Sequence, residues 1–133
     1  MSEEAKTNKV NGHGLGRIIK ATHCSMKGFK AAWINEAAFR QETIMALICL
    51  PFSFILASSV LHWLVLIFAL LFVVFAELVN SALEALADKV CLEHDVLIGR
   101  TKDIGSAIVF VALSFMTLVW ICAVLSYFNL LNF

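Results

Sequence analysis

No Asp, Glu, Lys or Arg occurs between Glu42 and Glu77, and that gap constrains the chain more than any motif does. The uncharged run, residues 43–76, is 34 residues long, whereas one helix needs about 20 to cross a hydrocarbon core. A second uncharged stretch runs from after Asp103 to the C-terminus. Together the two take up nearly half of the 133 residues, too much to be the core of so small a soluble protein. They read as membrane spans. Composition agrees: 61% of the chain is hydrophobic and the mean hydropathy is +0.88, where a soluble domain runs nearer to about half apolar.

The first run is too long for one span and its middle is polar, with Pro51, Ser53, Ser58, Ser59, His62 and Trp63. Two spans follow, at about 42–58 and 62–87, joined by a short turn near 57–62. Trp63 is expected at the membrane interface on that side. A polar segment, Asp88 to Asp103, precedes a third span at about 104–127. Gly105, Ser106, Ala107, Ala112 and Ser114 are small enough there to let helices approach closely. Ahead of the spans, residues 17–34 form an amphipathic helix. Ile18, Ile19, Met26, Phe29 and Trp33 share one face, and Lys20, Lys27 and Lys30 share another. It suits an anionic membrane surface or packing on its own protein, with a bend expected at Gly28. Residues 1–16 read as a mobile polar tail without the apolar core of a signal peptide.

The fold class is therefore all-α and membrane-embedded, a single domain over 1–133 with a surface helix and three spans. All ten basic residues lie within 1–40 or 89–102. The N-terminus and the segment around 88–103 are expected in the cytoplasm, and the short turn and C-terminus outside.

Several function classes lose support. The net charge is zero, which gives no reason to expect nucleic acid. Cys24, Cys49, Cys91 and Cys122 make no CxxC pair and read as free thiols rather than a zinc site. His13, His23, His62 and His94 have no metal-ligand spacing. Neither a Walker loop nor the kinase HRD and DFG motifs occur. Gly12, Gly14 and Gly16 follow no strand and belong to the tail.

What remains is a stripe of polar groups. Glu77, Asn80, Glu84 and Asp88 are spaced i, i+3, i+7 and i+11 and fall within about 80° of arc on one helix face. Polar groups on one side of an apolar helix are costly unless used, and a carboxylate at membrane depth marks a functional site. Glu77 lies about three turns, roughly 16 Å, inside Asp88. It would suit the role of a general base that takes a hydroxyl proton; the other reading is interhelix hydrogen bonding in a bundle. Glu36 joins it if the surface helix keeps its phase, because it then falls on the apolar side with Ile18 and Phe29. Glu42 stands where it could cap the first span. The loop Gly99–Asp103, GRTKD, precedes a helix, and its Arg100 and Lys102 suit phosphate or simply set topology. A nucleotide site here would be built from carboxylates holding Mg²⁺ and cations holding phosphates.

RIIKAT (Arg17–Thr22), KAAWINEAAFRQE (Lys30–Glu42), ELVNSALEALADK (Glu77–Lys89) and GRTKDIGSA (Gly99–Ala107) closely resemble the prokaryotic diacylglycerol kinases, over about residues 17–127. The resemblance implies a homotrimer of three-span subunits in the bacterial inner membrane, with active sites shared between subunits at the cytoplasmic interface. It implies ATP-dependent phosphorylation of the free hydroxyl of diacylglycerol, giving phosphatidic acid and returning lipid to phospholipid synthesis. It makes Glu77 the catalytic base and gives Glu36 and Glu84 the divalent metal, Mg²⁺, on ATP. Arg17 and Lys102 would contact phosphates, and Asn80 would support the constellation. Asp88, Glu93, His94, Asp95 and Asp103 would lie toward the nucleoside, with Cys24 also on the nucleotide side. Trp33, Ala38, Phe39, Arg40, Gln41, Glu42, Ser106 and Trp120 would line the lipid's path. Cys24 and Met26 stand where aromatics are expected, and His94-Asp95 where Tyr-His is expected.

Other readings of the residues are an undecaprenol kinase, a small transporter with a carboxylate relay, and a structural membrane subunit. They differ in acceptor lipid, in solute flux and in tolerance of substitution at Glu77 and Glu84.

Overall fold

Four helices and no strand make up the described chain, residues 14–90 and 95–131, in the computed structural model. They are α1 (Leu15–Asn35), α2 (Ala37–Leu56), α3 (Val60–Val90) and α4 (Val96–Tyr127). The last three are long and apolar enough to cross a membrane, as the uncharged runs predict. Residues 1–13, which hold most of the expected tail, lie outside the described residues, as do Cys91, Glu93 and His94.

Helix α1 begins two residues before the expected start, after Gly14 in a left-handed conformation (φ 72°). It continues unbroken through Gly28, where a β-carbon would meet open space. The chain residues up to Ala31 form one compact unit and those from Ala32 onward another.

The break between α1 and α2 falls at Glu36, whose backbone is extended (φ −111°, ψ 114°). The surface helix therefore does not keep its phase as far as Glu36. The guanidinium of Arg40 holds the break, donating from Nη1 to the carbonyls of Trp33 (2.8 Å) and Ile34 (3.1 Å). Those carbonyls belong to the last turn of α1 and have no helical partner. α2 starts five residues before the expected span and carries Pro51 inside it. Membrane helices tolerate such a proline where nearby groups take up the freed backbone bonds.

The turn between α2 and α3 is shorter than expected, residues 57–59. Ser59 Oγ accepts the His62 N–H (3.1 Å), the usual way a serine starts a helix. Trp63 Nε1 donates to the buried Ser53 hydroxyl (3.0 Å), and its ring lies against Phe54. The aromatic expected to mark an interface also fastens α2 to α3.

α3 packs against both of its neighbours, while α2 and α4 barely meet. The core is Val73 and Ala76 of α3 against Val109 and Ala112 of α4, flanked by Phe72, Ile108, Leu113 and Met116. Of the small residues expected to allow close approach, Gly105 and Ala112 are buried, whereas Ser106, Ala107 and Ser114 face outward. With no water to drive apolar faces together in lipid, contact comes from such small-residue packing.

The polar segment 88–103 is mostly helical, which corrects the expectation of a loop. α3 runs on to Val90, and α4 starts at Val96 with Asp95 as its cap. GRTKD lies inside α4, so no basic loop presents phosphate-binding amides there. Hydropathy locates the membrane, but Lys, Glu and Ala are good helix formers, and the helices continue past the apolar stretch. At 31 residues, α3 is about 46 Å long, well beyond the roughly 30 Å of a hydrocarbon core.

Candidate active site

Glu77 is the one buried carboxylate in the described chain, at 3% exposure. It sits on α3 just above the Val73–Ala76 core. Because α3 is unbroken from Val60 to Val90, the predicted stripe is real. Asn80 Nδ2 donates to Glu84 Oε1 (3.0 Å), and Asp88 follows one turn later.

Two further carboxyls act on it from outside α3. Glu42 of α2 shares a hydrogen bond with Glu77, and Glu36 lies within electrostatic reach, together with Glu84. The site thus collects four acidic side chains from three places in the chain: the α1–α2 break, the first turns of α2, and α3. The expectation for Glu36 rested on α1 keeping its phase, and the helix ends before it. Glu42 is no cap of the span. It is the sixth residue of α2, since the helix begins at Ala37.

The local polar balance is incomplete. Glu42 Oε2, Thr43 Oγ1, Asn80 Oδ1 and Ser81 Oγ are buried without a hydrogen-bond partner. Native interiors rarely leave such atoms unpaired; here Asn80 and Ser81 lie one turn from Glu77 on α3, and Glu42 and Thr43 lie on α2. Clustered carboxyls and orphaned acceptors in an apolar surround favour a cation and a polar ligand. Among the described residues no three His, Cys, Asp or Glu side chains converge as a ready-made metal cage. Magnesium takes one or two protein carboxylates and completes its shell with phosphates and water. Glu36 and Glu84 are hard oxygen donors of this kind, both partly exposed.

A cation stands at the outer end of the stripe. Lys102 Nζ of α4 donates to Asp88 Oδ1 (2.6 Å). Asp95 is occupied as the cap of α4, its Oδ1 accepting from the N–H groups of Leu97 (2.8 Å) and Ile98 (3.1 Å). Asp103 and Ser106 are exposed on the same helix.

Other expected site residues fall differently. Phe39 is buried, Ala38 and Gln41 are exposed, and Trp33 is 42% exposed. Arg40 serves the α1–α2 break. Trp120 is not brought near the acids within one chain. It lies about 22 Å along α4 from Gly105, where its buried Nε1 has no partner and it lines a hollow with Met116, Thr117 and Val124. Arg17 and Cys24 are exposed on the N-terminal unit.

One feature escaped sequence reasoning. An apolar groove between α2 and α3 is lined by Thr43, Ala46, Leu47 and Leu50 on one side and Ile67, Leu70, Leu71 and Val74 on the other. The i, i+3, i+4, i+7 spacing on both helices was available as a signal. In a chain apolar nearly all round, that spacing does not stand out.

The prokaryotic diacylglycerol kinase family model matches residues 23–124. The chain belongs to that family. Its members are lipid kinases, so the protein is an enzyme. It is 41% identical to the diacylglycerol kinase of Escherichia coli strain K12 over 119 residues, which cover 90% of this chain and 98% of that protein. The Pseudomonas aeruginosa diacylglycerol kinase is 43% identical over 107 residues, 80% of this chain and 87% of its own. The Haemophilus influenzae diacylglycerol kinase is 41% identical over 107 residues, 80% and 91% respectively. The family match takes in the acidic cluster, Asn80, Lys102 and Gly105.

Proposed function

We propose that the protein transfers the γ-phosphoryl group of ATP to the free hydroxyl of diacylglycerol, forming phosphatidic acid and ADP. The observation that carries this reading is the cluster on Glu77: a buried carboxylate at the polar end of a membrane bundle, ringed by acids and orphaned acceptors, inside the family match. The groove that starts at Thr43, beside Glu42, suits an acyl tail whose glycerol end stays with the acids.

In this reading the Glu77 carboxylate takes the hydroxyl proton as the lipid oxygen attacks phosphorus. Glu36 and Glu84 would hold magnesium, which when bound would neutralise charge on the phosphates. Lys102 and Arg17 contact those phosphates. Phosphoryl transfer asks mainly for positioning and charge neutralisation, and the residues named here supply those. Asn80 orients Glu84 through its amide. Asp88, Asp95 and Asp103 border the nucleotide, with Cys24, Glu93 and His94. Trp33, Ala38, Phe39, Arg40, Gln41, Glu42, Ser106 and Trp120 border the lipid. The proposed assembly is a homotrimer with shared sites in the bacterial inner membrane, with the N-terminus cytoplasmic.

The test is transfer of labelled phosphate from ATP by purified protein in mixed micelles, with diacylglycerol and undecaprenol in separate arms. Labelled phosphatidic acid is expected. Faster labelling of undecaprenol would reassign the acceptor. Solute flux into liposomes with no ATP consumption would replace the kinase by a transporter. The apolar lower half of α3, Val60–Ala76, offers no carboxylate path through the membrane.

A further inference from the structure

The position that a β-carbon would take at Gly105 is already filled by the Asn80 amide oxygen. Built there, the carbon would overlap Oδ1 and touch Asn80 Cγ at 3.5 Å and Leu83 Cδ1 at 3.6 Å. The last two are ordinary contacts. Only the amide oxygen is in the way. That oxygen is buried without a hydrogen-bond partner, so no polar bond fixes it in place. What confines it is the bare backbone of α4. The other end of the same amide, Nδ2, donates to Glu84 Oε1 at 3.0 Å. The amide is thus a short rod with one end against Gly105 and the other on a carboxylate.

We propose that Gly105 is a positioning residue for the metal-bearing carboxylate: its lack of a side chain seats the Asn80 amide, which sets the direction of Glu84. This rests on the proposed role of Glu84. Gly105 touches neither the nucleotide nor the lipid in this scheme and acts only through Asn80. Any side chain at 105 pushes the amide along α3 or turns it, and the bond to Glu84 is lost or redirected. Groups that orient metal-binding side chains typically cost about 10–100-fold in metal affinity or activity when changed. The same close approach of α4 to α3 would serve mere packing in most helix pairs. The difference here is that the atom met is a polar group bonded to Glu84, not a core methyl.

The experiment compares wild type, Gly105→Ala, Asn80→Ala and the double variant in micelles. It measures the Mg²⁺ concentration for half-maximal activity and, separately, Mn²⁺ bound with a non-hydrolysable ATP analogue by electron paramagnetic resonance. Gly105→Ala is expected to raise the half-maximal Mg²⁺ and weaken Mn²⁺ binding about tenfold or more, with the KM for diacylglycerol unchanged. Asn80→Ala should do the same. In its background Gly105→Ala should add less than about threefold, because the atom that a methyl would strike is gone. The comparison of Asn80→Ala with the double variant decides even where Gly105→Ala alone does not fold. A folded Gly105→Ala with wild-type metal dependence overturns the inference, as does Asn80→Ala with wild-type metal dependence or a double variant much worse than Asn80→Ala. Wild-type protein without kinase activity would instead refute the function itself.

Discussion

Glu77→Gln keeps the volume and most of the hydrogen bonding of the side chain and removes its ability to take a proton. If Glu77 is the base, turnover falls by roughly 10²–10⁴-fold while the helical circular dichroism and the KM for ATP stay as in wild type. Near-normal turnover in a folded variant would sink the assignment. Lys102 poses a different question, because its ion pair with Asp88 is exposed on both sides and adds little to folding. Lys102→Met is expected to leave thermal unfolding unchanged and to raise the KM for ATP by roughly tenfold or more, the loss of one charge-assisted contact to phosphate. An unchanged KM would confine Lys102 to its bridge with Asp88. The two residues also differ in how far the sequence reveals them. Glu77, Asn80, Glu84 and Asp88 share one helix, so their spacing alone brings them to one face. Glu42 is 35 positions from Glu77 in the chain, and only the register of α2 against α3 brings the two together. No local pattern encodes that register.

At the level of elements, Asp95 has two possible duties, capping α4 and bordering the nucleotide. Asp95→Ala removes both acceptor contacts to the first turn of α4 and should cost about 1 kcal/mol of stability. Asp95→Ser restores a capping oxygen without the charge, so unfolding in detergent should return to near wild type. If the carboxylate also meets the nucleotide, the KM for ATP stays raised in the serine variant. If it recovers with stability, the cap is the whole of its role. Capping also explains where reading the elements from sequence succeeds and fails. The three spans are legible because runs of apolar residues are set by membrane thickness. Their ends are not, since α3 and α4 continue into charged residues that favour helix as readily as apolar ones do. The break at Glu36 is invisible for another reason. INEAAF contains no proline or glycine, and the guanidinium that closes the end of α1 comes from Arg40, in the next helix.

For the whole molecule, the share of each span's apolar 18-residue stretch buried within one chain is the informative quantity: 33% for α3 but 17% for α4 and 11% for α2. Only α3 behaves as an interior helix. Lipid covers apolar flanks without cost, so exposure alone does not demand a partner. Polar atoms are another matter, because hydrocarbon offers them nothing. Trp120 Nε1 toward the far end of α4 lacks a partner among the described residues, and its hollow lies far from the acids that share its proposed substrate. A second copy in the same membrane orientation holds its own Trp120 at that same depth, so in the proposed assembly Trp120 borders the lipid's tails and not its hydroxyl. Three copies are expected in the active particle, as in the proposed homotrimer. Light scattering of the purified enzyme in detergent, corrected for bound detergent, should give three times the 14.7 kDa chain mass. Sharing can be tested separately by mixing inactive subunits. Glu77→Gln and Glu84→Gln lie on one face of one helix, so hetero-trimers of these two variants should stay inactive. Glu77→Gln mixed with a Trp120 variant that is inactive alone should regain activity, because some sites then draw an intact α3 from one chain and an intact α4 from another. A fully active monomer, or no recovery from that second mixture, would place the whole site within one chain.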